Sequence, residues 1–178
     1  MPRRTPLYDV HVKSGGKLVE FAGWEMPVQY SGVIDEHHAV RTAAGLFDVS
    51  HMGEIVISGP KALEAAQRLL TNDLAKAKDG QAVYAGLLND RGGFVDDVVA
   101  YRFSAERILV CVNAANREKD WAWVKERASG ADVQDRGDEY AQLALQGPKA
   151  ASILQRLTKV ELAPIATYRF AEGEVASI

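Results

Sequence analysis

Strand-like and helix-like segments do not alternate strictly along this chain, and their order predicts the fold class. Apolar runs and alternation predict strands over residues 17–22, 52–58, 83–88, 94–103 and 108–112. Helical signals lie over residues 34–44 and 114–128, with Asn113 as the cap of the second helix, and a shorter helix is expected to begin at Thr5-Pro6. Residues 23–27 are predicted to be irregular. Because several strands follow one another without a helix between them, we predict an α+β fold of antiparallel sheets with packed helices.

One short stretch occurs twice in the sequence, first from Gly59 and again from Gly147. In both places a predicted strand runs into Gly-Pro-Lys-Ala, and an amphipathic segment follows. Proline is expected at the first helical position, where its missing N–H costs nothing. The separation is far too long for a solenoid repeat. We interpret the two copies as one stable strand–turn–helix arrangement used twice.

The composition is that of a soluble globular protein. Of 178 residues, 47% are hydrophobic and 25% are charged, which is enough apolar material for a core. The net charge of -3 argues against a nucleic-acid partner. No apolar run approaches the roughly 20 residues that span a bilayer, so no membrane partner is predicted. With Cys111 as the single cysteine, no internal disulfide can form. We predict a cytoplasmic location, or a mitochondrial matrix if a leader has been removed.

Asp96 and Asp97 are adjacent carboxylates early in an apolar strand. Successive side chains on a strand point to opposite faces, so one of the two is expected at the edge of something buried. A desolvated carboxylate has a raised pKa and is costly unless it finds a partner. In the alternative, one carboxylate anchors the Gly92-Gly93 turn and the other is solvated. The pair alone does not decide between these readings.

The histidines and the cysteine are predicted to have structural roles, and no metal site is expected. Adjacent helical residues such as His37 and His38 point about 100° apart and cannot chelate one ion. Ser50 and His51 are neighbours in sequence, whereas a nucleophile and its base come from different segments. We therefore expect packing or capping roles for the histidines, including His11, and a buried apolar role for Cys111.

Eight stretches of the sequence, in register over essentially the whole chain, resemble the glycine-cleavage T-protein family. They are TPLY (5–8), FAGWEMP (21–27), IDEHHAVR (34–41), GLFDVSHM (45–52), YAGLLN (84–89), GGFVDDV (92–98), VNA (112–114) and LQGP (145–148). The resemblance implies a tetrahydrofolate-dependent aminomethyltransferase. Such an enzyme takes the aminomethyl group carried on the dihydrolipoyl arm of H-protein, releases ammonia and passes the one-carbon unit to tetrahydrofolate.

The resemblance also implies a set of site residues. The family's key carboxylate is matched to Asp96, the first Asp of Gly-Gly-x-x-Asp-Asp, and is expected to orient the folate and stabilise cationic nitrogen. A carboxylate on a rigid strand is pre-organised for that task. The pterin is expected in a central hole, and its lining residues are Met52, Tyr84, Val112 and Asn113, with Tyr101 and Tyr168 as weaker candidates. The implied cofactor is tetrahydrofolate, without a metal, and the implied partner is lipoylated H-protein.

Family architecture implies a domain division and a fragment. Residues 52–135 would form a ferredoxin-like domain inserted in an incomplete first folate-binding domain of residues 1–51 and 136–178. Family members are about twice this length, and residues 172–178 look like an interrupted strand. We therefore expect an inactive fragment that binds folate weakly and self-associates through exposed apolar surface.

Two other functions fit the same resemblance. One is a folate-binding scaffold without transferase activity, like the paralogues tied to iron–sulfur cluster assembly. The other is the T-protein-like module of a demethylating dehydrogenase, which carries a flavin domain upstream. The chain's first residues lead almost directly into Thr5-Pro6-Leu7-Tyr8, as in a T-protein, which makes the dehydrogenase the weaker alternative.

Overall fold

The computed structural model describes all residues from Met1 to Ile178. The nine strands are β1 (Lys17–Phe21), β2 (Trp24–Gln29), β3 (Gly45–Asp48), β4 (Gly53–Ser58), β5 (Gln81–Leu88), β6 (Phe94–Ser104), β7 (Arg107–Val112), β8 (Asp132–Asp135) and β9 (Leu143–Gln146). The five α-helices are α1 (Tyr8–Lys13), α2 (Val33–Thr42), α3 (Ala62–Leu69), α4 (Arg117–Arg127) and α5 (Ala150–Gln155). All strand pairs within the sheets are antiparallel. The predicted α+β class with antiparallel sheets is confirmed.

The chain divides into two compact units. The first consists of Met1–His51, Ala141–Ile165 and Glu172–Ile178, and the second of Met52–Tyr140 and Ala166–Ala171. None of the helices in either unit has the length and apolar character needed to cross a membrane.

The first unit contains two small sheets, β1 with β2 and β3 with β9. The prediction that residues 23–27 are irregular is wrong, because β2 pairs with β1 through this stretch and buries Trp24 and Met26 at alternate positions. The first helix begins at Tyr8 rather than at Pro6. Residues 172–178 do not form a strand; they make only a single bridge, from Val175 to Thr158.

The two Gly-Pro-Lys-Ala copies adopt the same local structure. Gly59 and Gly147 both have positive φ, 100° and 115°, and each carbonyl accepts a 3.0 Å hydrogen bond from the amide three residues later. Helices α3 and α5 begin at Ala62 and Ala150, two residues after the prolines. The prolines therefore occupy a turn before the helix, which corrects the prediction that they take the first helical position.

A five-stranded sheet with the order β5-β6-β7-β4-β8 forms the second unit. Helix α3 buries one stripe with helical spacing, composed of Ala62, Ala65, Ala66 and Leu69. This stripe and α4 pack on one face of the sheet, where Ile55, Ile57, Val98, Val110 and Val112 form the core. A smaller cluster of Val56, Leu109 and Cys111 lies on the opposite face. The apolar role expected for Cys111 is confirmed.

Candidate functional site

Strand β6 turns the two adjacent aspartates to opposite faces of the sheet. Asp96 is buried at 8% exposure and follows the same alternation as Val98 and Ala100, which belong to the core beneath the helices. Asp97 is exposed and follows the alternation of Val99 and Tyr101. The prediction that one of the two carboxylates lies at a buried edge is confirmed.

Asp96 is held by amide groups from the segment that enters α4. Asn113 Nδ2 lies 3.1 and 3.2 Å from its two carboxylate oxygens, and Asn116 Nδ2 lies 2.9 Å from Oδ1. Burial acts to raise the pKa of Asp96, but hydrogen bonds from Asp120, Asn113 and Asn116 outweigh burial and lower it. Asp96 is therefore an ionised acceptor whose oxygens are used inside the protein.

Asn113 connects the two aspartates through its side-chain amide. Its side chain makes no capping hydrogen bond to the 3₁₀ turn Ala114–Asn116. In addition to Asp96, its Nδ2 donates to the backbone oxygen of Asp97 at 3.0 Å and lies 3.4 Å from Asp97 Oδ1. Asn113 therefore occupies the predicted cap position, but its side chain does not cap the turn, and its amide donates to Asp96 on a neighbouring strand.

The face opposite the helices carries Tyr84, Asp97, Val99 and Tyr101, and we call it the open face. The Tyr84 hydroxyl donates a 2.7 Å hydrogen bond to Asp97 Oδ2. The same hydrogen bond raises the pKa of Tyr84, with smaller effects of desolvation and of the Asp97 charge. Since Tyr84 pairs with Val99 in the sheet, its half-exposed ring stands beside Asp97 on this face.

A short segment, Ala166–Ala171, runs along the free edge of β5 and brings Tyr168 to the second unit. The Ala82 amide donates to the Tyr168 carbonyl at 2.9 Å, and the Phe170 amide donates to that of Gly80 at 3.0 Å. The Phe170 ring packs 5.6 Å from Tyr101 on the open face. Tyr168 is more than half exposed and has a positive φ of 56°.

The structure therefore separates the predicted site residues into two groups. Tyr84 and Tyr101 share the open face, and Met52 packs with Tyr101 against the apolar cluster on that side. Val112 is fully buried beneath the helices, and Asp96 faces the same way. The structure thus places Val112 and Asp96 on the side of the sheet opposite the tyrosines.

Sequence reasoning did not select Asp97 or Cys111, which lie on the side of the tyrosines. The signal was present in the alternation Asp97-Val99-Tyr101 against Asp96-Val98-Ala100. Tyr101, four positions after Asp97, marks the less buried face, whereas the smaller apolar residues Val98 and Ala100 follow Asp96. Only the tertiary structure shows that Tyr84, on the neighbouring strand β5, lies beside Asp97 on this face.

A second charged cluster lies where β4 meets β8. Arg117 binds Asp135 at 2.9 Å and Asp138 at 3.0 Å. Glu54 is 5% exposed, and its Oε2 makes no hydrogen bond. Burial raises the pKa of Glu54 to about 7, and the nearby Arg117 opposes the shift only in part. Burial thus favours the neutral form of Glu54.

His11 has the packing role that the sequence predicts. It is buried in the first unit, where Nε2 lies 2.8 Å from Asp48 Oδ2 and Nδ1 lies 2.8 Å from the Tyr30 hydroxyl. These bonds tie α1 to β3 and to the turn that precedes α2. No group of three or more His, Cys, Asp or Glu side chains is placed to hold a metal ion.

Residues 7–178 match the family described as the GCVT N-terminal domain. Two curated relatives, each named aminomethyltransferase, come from Desulfitobacterium hafniense (strain Y51) and Moorella thermoacetica (strain ATCC 39073 / JCM 9320). They are 52% and 51% identical to this chain over 178 residues, an alignment that covers 99% of this chain and 49% of each relative. The chain thus spans about half the length of the curated relatives it matches.

One solved structure gives the same assignment. The glycine cleavage system aminomethyltransferase T from Bartonella henselae matches with a TM-score of 0.80 and 42% identity, over 88% of this chain and 44% of that chain. A heterotetrameric sarcosine oxidase from Corynebacterium sp. U-96 matches with a TM-score of 0.55 over 91% of this chain and 70% of that chain. Its 15% identity shows a likeness of fold alone. The family match covers nearly the whole chain, and the chain belongs to the GCVT N-terminal domain family.

Proposed function

We propose that the protein containing this chain is a tetrahydrofolate-dependent aminomethyltransferase of glycine cleavage. It would move the one-carbon unit from the aminomethyl-dihydrolipoyl arm of H-protein to tetrahydrofolate, with release of ammonia. The observation that supports this most is the identity of about half of all positions with proteins named aminomethyltransferase. Lipoylated H-protein is the proposed partner, and a cytoplasmic location stays a prediction.

We further propose that Asp97, rather than Asp96, is the carboxylate that meets the reacting nitrogen. Asp97 lies on a rigid strand, is exposed on the open face, and is oriented by the Tyr84 hydroxyl at 2.7 Å. Asp96 is buried among amide donors and has no free side toward that face. An anion fixed before the reaction stabilises positive charge as it develops, without reorganisation during the step.

The open face suits the proposed folate acceptor. Tetrahydrofolate would supply the nitrogen that receives the one-carbon unit. The half-exposed ring of Tyr84 and the ring of Tyr101 offer flat apolar surface to a pterin, and Asp97 offers an acceptor to its N–H groups. The Asn113 amide holds the Asp97 backbone in place from behind.

We also propose that residues 52–135 are a ferredoxin-like domain inserted in a first folate-binding domain of residues 1–51 and 136–178. The order β8-β4-β7-β6, with α3 and α4 on one face, supports this proposal. The 178 residues alone are proposed to be inactive, since the chain spans about half the length of the aminomethyltransferases it matches.

Paired substitutions in the protein that contains this chain test the assignment of the carboxylate. In an assay of ammonia release from aminomethyl-loaded H-protein with tetrahydrofolate, Asp97→Asn should lower kcat by about 100-fold or more. Tyr84→Phe should lower it by about tenfold, because one orienting hydrogen bond is lost. Asp79→Asn, which removes an exposed partner of Arg102, is the matched control and should have little effect.

Three outcomes would change the proposal. Near-normal turnover of Asp97→Asn together with an inactive Asp96→Asn would return the role to Asp96. Turnover unaffected by either change would exclude both carboxylates from the reaction. Tight tetrahydrofolate binding without any turnover of H-protein would favour a folate-binding scaffold.

A further inference from the structure

Asp120 is a buried carboxyl group that the proposed reaction does not use. It lies in the first turn of α4 and is completely shielded from solvent. Neither of its oxygens receives a hydrogen bond from any N–H or hydroxyl group. The only nearby cation is Lys119, whose Nζ is 3.9 Å from Asp120 Oδ1 and donates instead to the Val95 carbonyl. An ionised carboxylate in such a place has nothing to replace the water it has lost.

The side chain with the largest effect on Asp120 is another carboxyl group, Asp96, whose contact raises the pKa of Asp120. Two carboxyl groups can share a hydrogen bond only when one of them holds a proton. Asp96 is already the acceptor for Asn113 and Asn116, which favours its ionised form. The proton therefore resides on Asp120.

We propose that Asp120 is a neutral carboxylic acid that donates a hydrogen bond to ionised Asp96, and that this pair positions Asn113 behind the open face. The proposal deepens the proposed function and rests on it, because Asn113 in turn holds the backbone of Asp97. The contacts form a continuous chain from Asp120 through Asp96 and Asn113 to Asp97. Asp120 is a positioning residue, since it acts on the open face only through Asp96 and Asn113.

The charges around Asp120 agree with this arrangement. Burial raises the pKa of Asp120 to about 8, and the hydrogen bond to Asp96 and the charges of Asp96 and Asp97 act in the same direction. Lys119 opposes the shift. The pKa of Asp96 is lowered by the same contact. Two carboxyl groups whose pKa values are pushed apart in this way share a single proton.

Loss of the proton should disturb the site. Above about pH 8 an ionised Asp120 would face ionised Asp96 with no donor between them. The two charges would repel, Asp96 would move, and Asn113 would lose the acceptor that fixes its amide. The orientation of Asp97 would then become less well defined at high pH.

A direct titration of the carboxyl group tests the protonation state without any assay of transfer. In the protein labelled with carbon-13 at aspartate carboxyl groups, one resonance should titrate near pH 8 and should be absent in Asp120→Asn. The side-chain amide resonances of Asn113 should shift over the same pH range. Glu118→Gln, an exposed change in the same turn of α4, should leave both signals in place. An Asp120 carboxyl already ionised at pH 6 would overturn the proposal, whatever the protein's activity.

Kinetics then test the positioning role. The KM for tetrahydrofolate of the wild-type protein should rise above pH 8. Because the amide of Asp120→Asn can still donate to Asp96, this variant should keep the KM within about twofold of the wild-type value, and the rise above pH 8 should be absent. Asp120→Ala offers no donor and should raise that KM by about tenfold. An equal increase of this KM in Asp120→Asn and Asp120→Ala would refute a donor role for Asp120. If Asp120→Ala does not fold, the pH profile of Asp120→Asn alone decides, since an unchanged rise above pH 8 would also refute the role.

Discussion

Replacing Glu54 by glutamine should make the protein more stable above pH 7 and should change little near pH 4. Burial raises the pKa of Glu54 from 4.5 to about 7. Between these two values the unfolded chain releases the proton while the folded chain keeps it. The free energy of unfolding must therefore fall as pH rises through this window, with a limiting slope of about 1.4 kcal/mol per pH unit. Above pH 7 the ionisation of Glu54 lowers the free energy of unfolding no further.

The structure gives the size of the effect. The rise of the Glu54 pKa from 4.5 to about 7 corresponds to about 3 kcal/mol for a side chain that is almost wholly buried. Glutamine has nearly the same shape and no charge, so it avoids this cost at every pH. The raised pKa of Asp120 also makes the free energy of unfolding fall as pH rises, up to about pH 8. Because both proteins contain Asp120, the difference between wild type and Glu54→Gln isolates the contribution of Glu54.

Urea unfolding followed by circular dichroism at half-unit steps from pH 4.5 to 9 measures this difference. The two curves should meet near pH 4.5 and separate by about 3 kcal/mol at pH 8. Glu64→Gln removes an exposed carboxylate from α3 and should run parallel to wild type. Parallel curves for Glu54→Gln, or a less stable variant at pH 8, would refute the reasoning. The second result would mean that Arg117 stabilises an ionised Glu54 more than burial penalises it.

Three further substitutions test the packing directly. Gly147→Ala should cost about 3 kcal/mol or more in urea unfolding, because a Cβ there would lie 2.6 Å from the Val40 carbonyl oxygen and 2.7 Å from that of Ala43. Gly59→Ala, at the same point of the repeated motif but with nothing within 4 Å, should cost only about 1 kcal/mol for the positive φ. Leu87→Ala should lower the free energy of unfolding by about 2–5 kcal/mol, since that side chain is completely buried, and a thermal melt that hardly changed would contradict this packing.

Local sequence patterns were sufficient to predict a strand where burial of an apolar run alone decides the structure. The central strands were predicted within a few residues, because apolar runs bounded by turn residues have few other solutions. Strand β8 was missed, since Asp132–Asp135 contains a single apolar residue and is a strand only because β4 pairs with it. Strand β2 was missed because Gly23 and Pro27 signal a turn, whereas pairing with β1 and burial of Trp24 outweigh that signal.

The sequence by itself determined that Asp96 and Asp97 point in opposite directions, because a strand alternates its side chains whatever surrounds it. It also determined the family, through eight short stretches in register. Which aspartate is buried was decided only by the tertiary structure, since strand β4 of the same sheet is buried on both sides and its pattern does not tell which face α4 covers. The same packing brought Asp120 against Asp96 and turned Asn113 away from its helix. Such contacts join residues far apart in the chain, and no local periodicity records them.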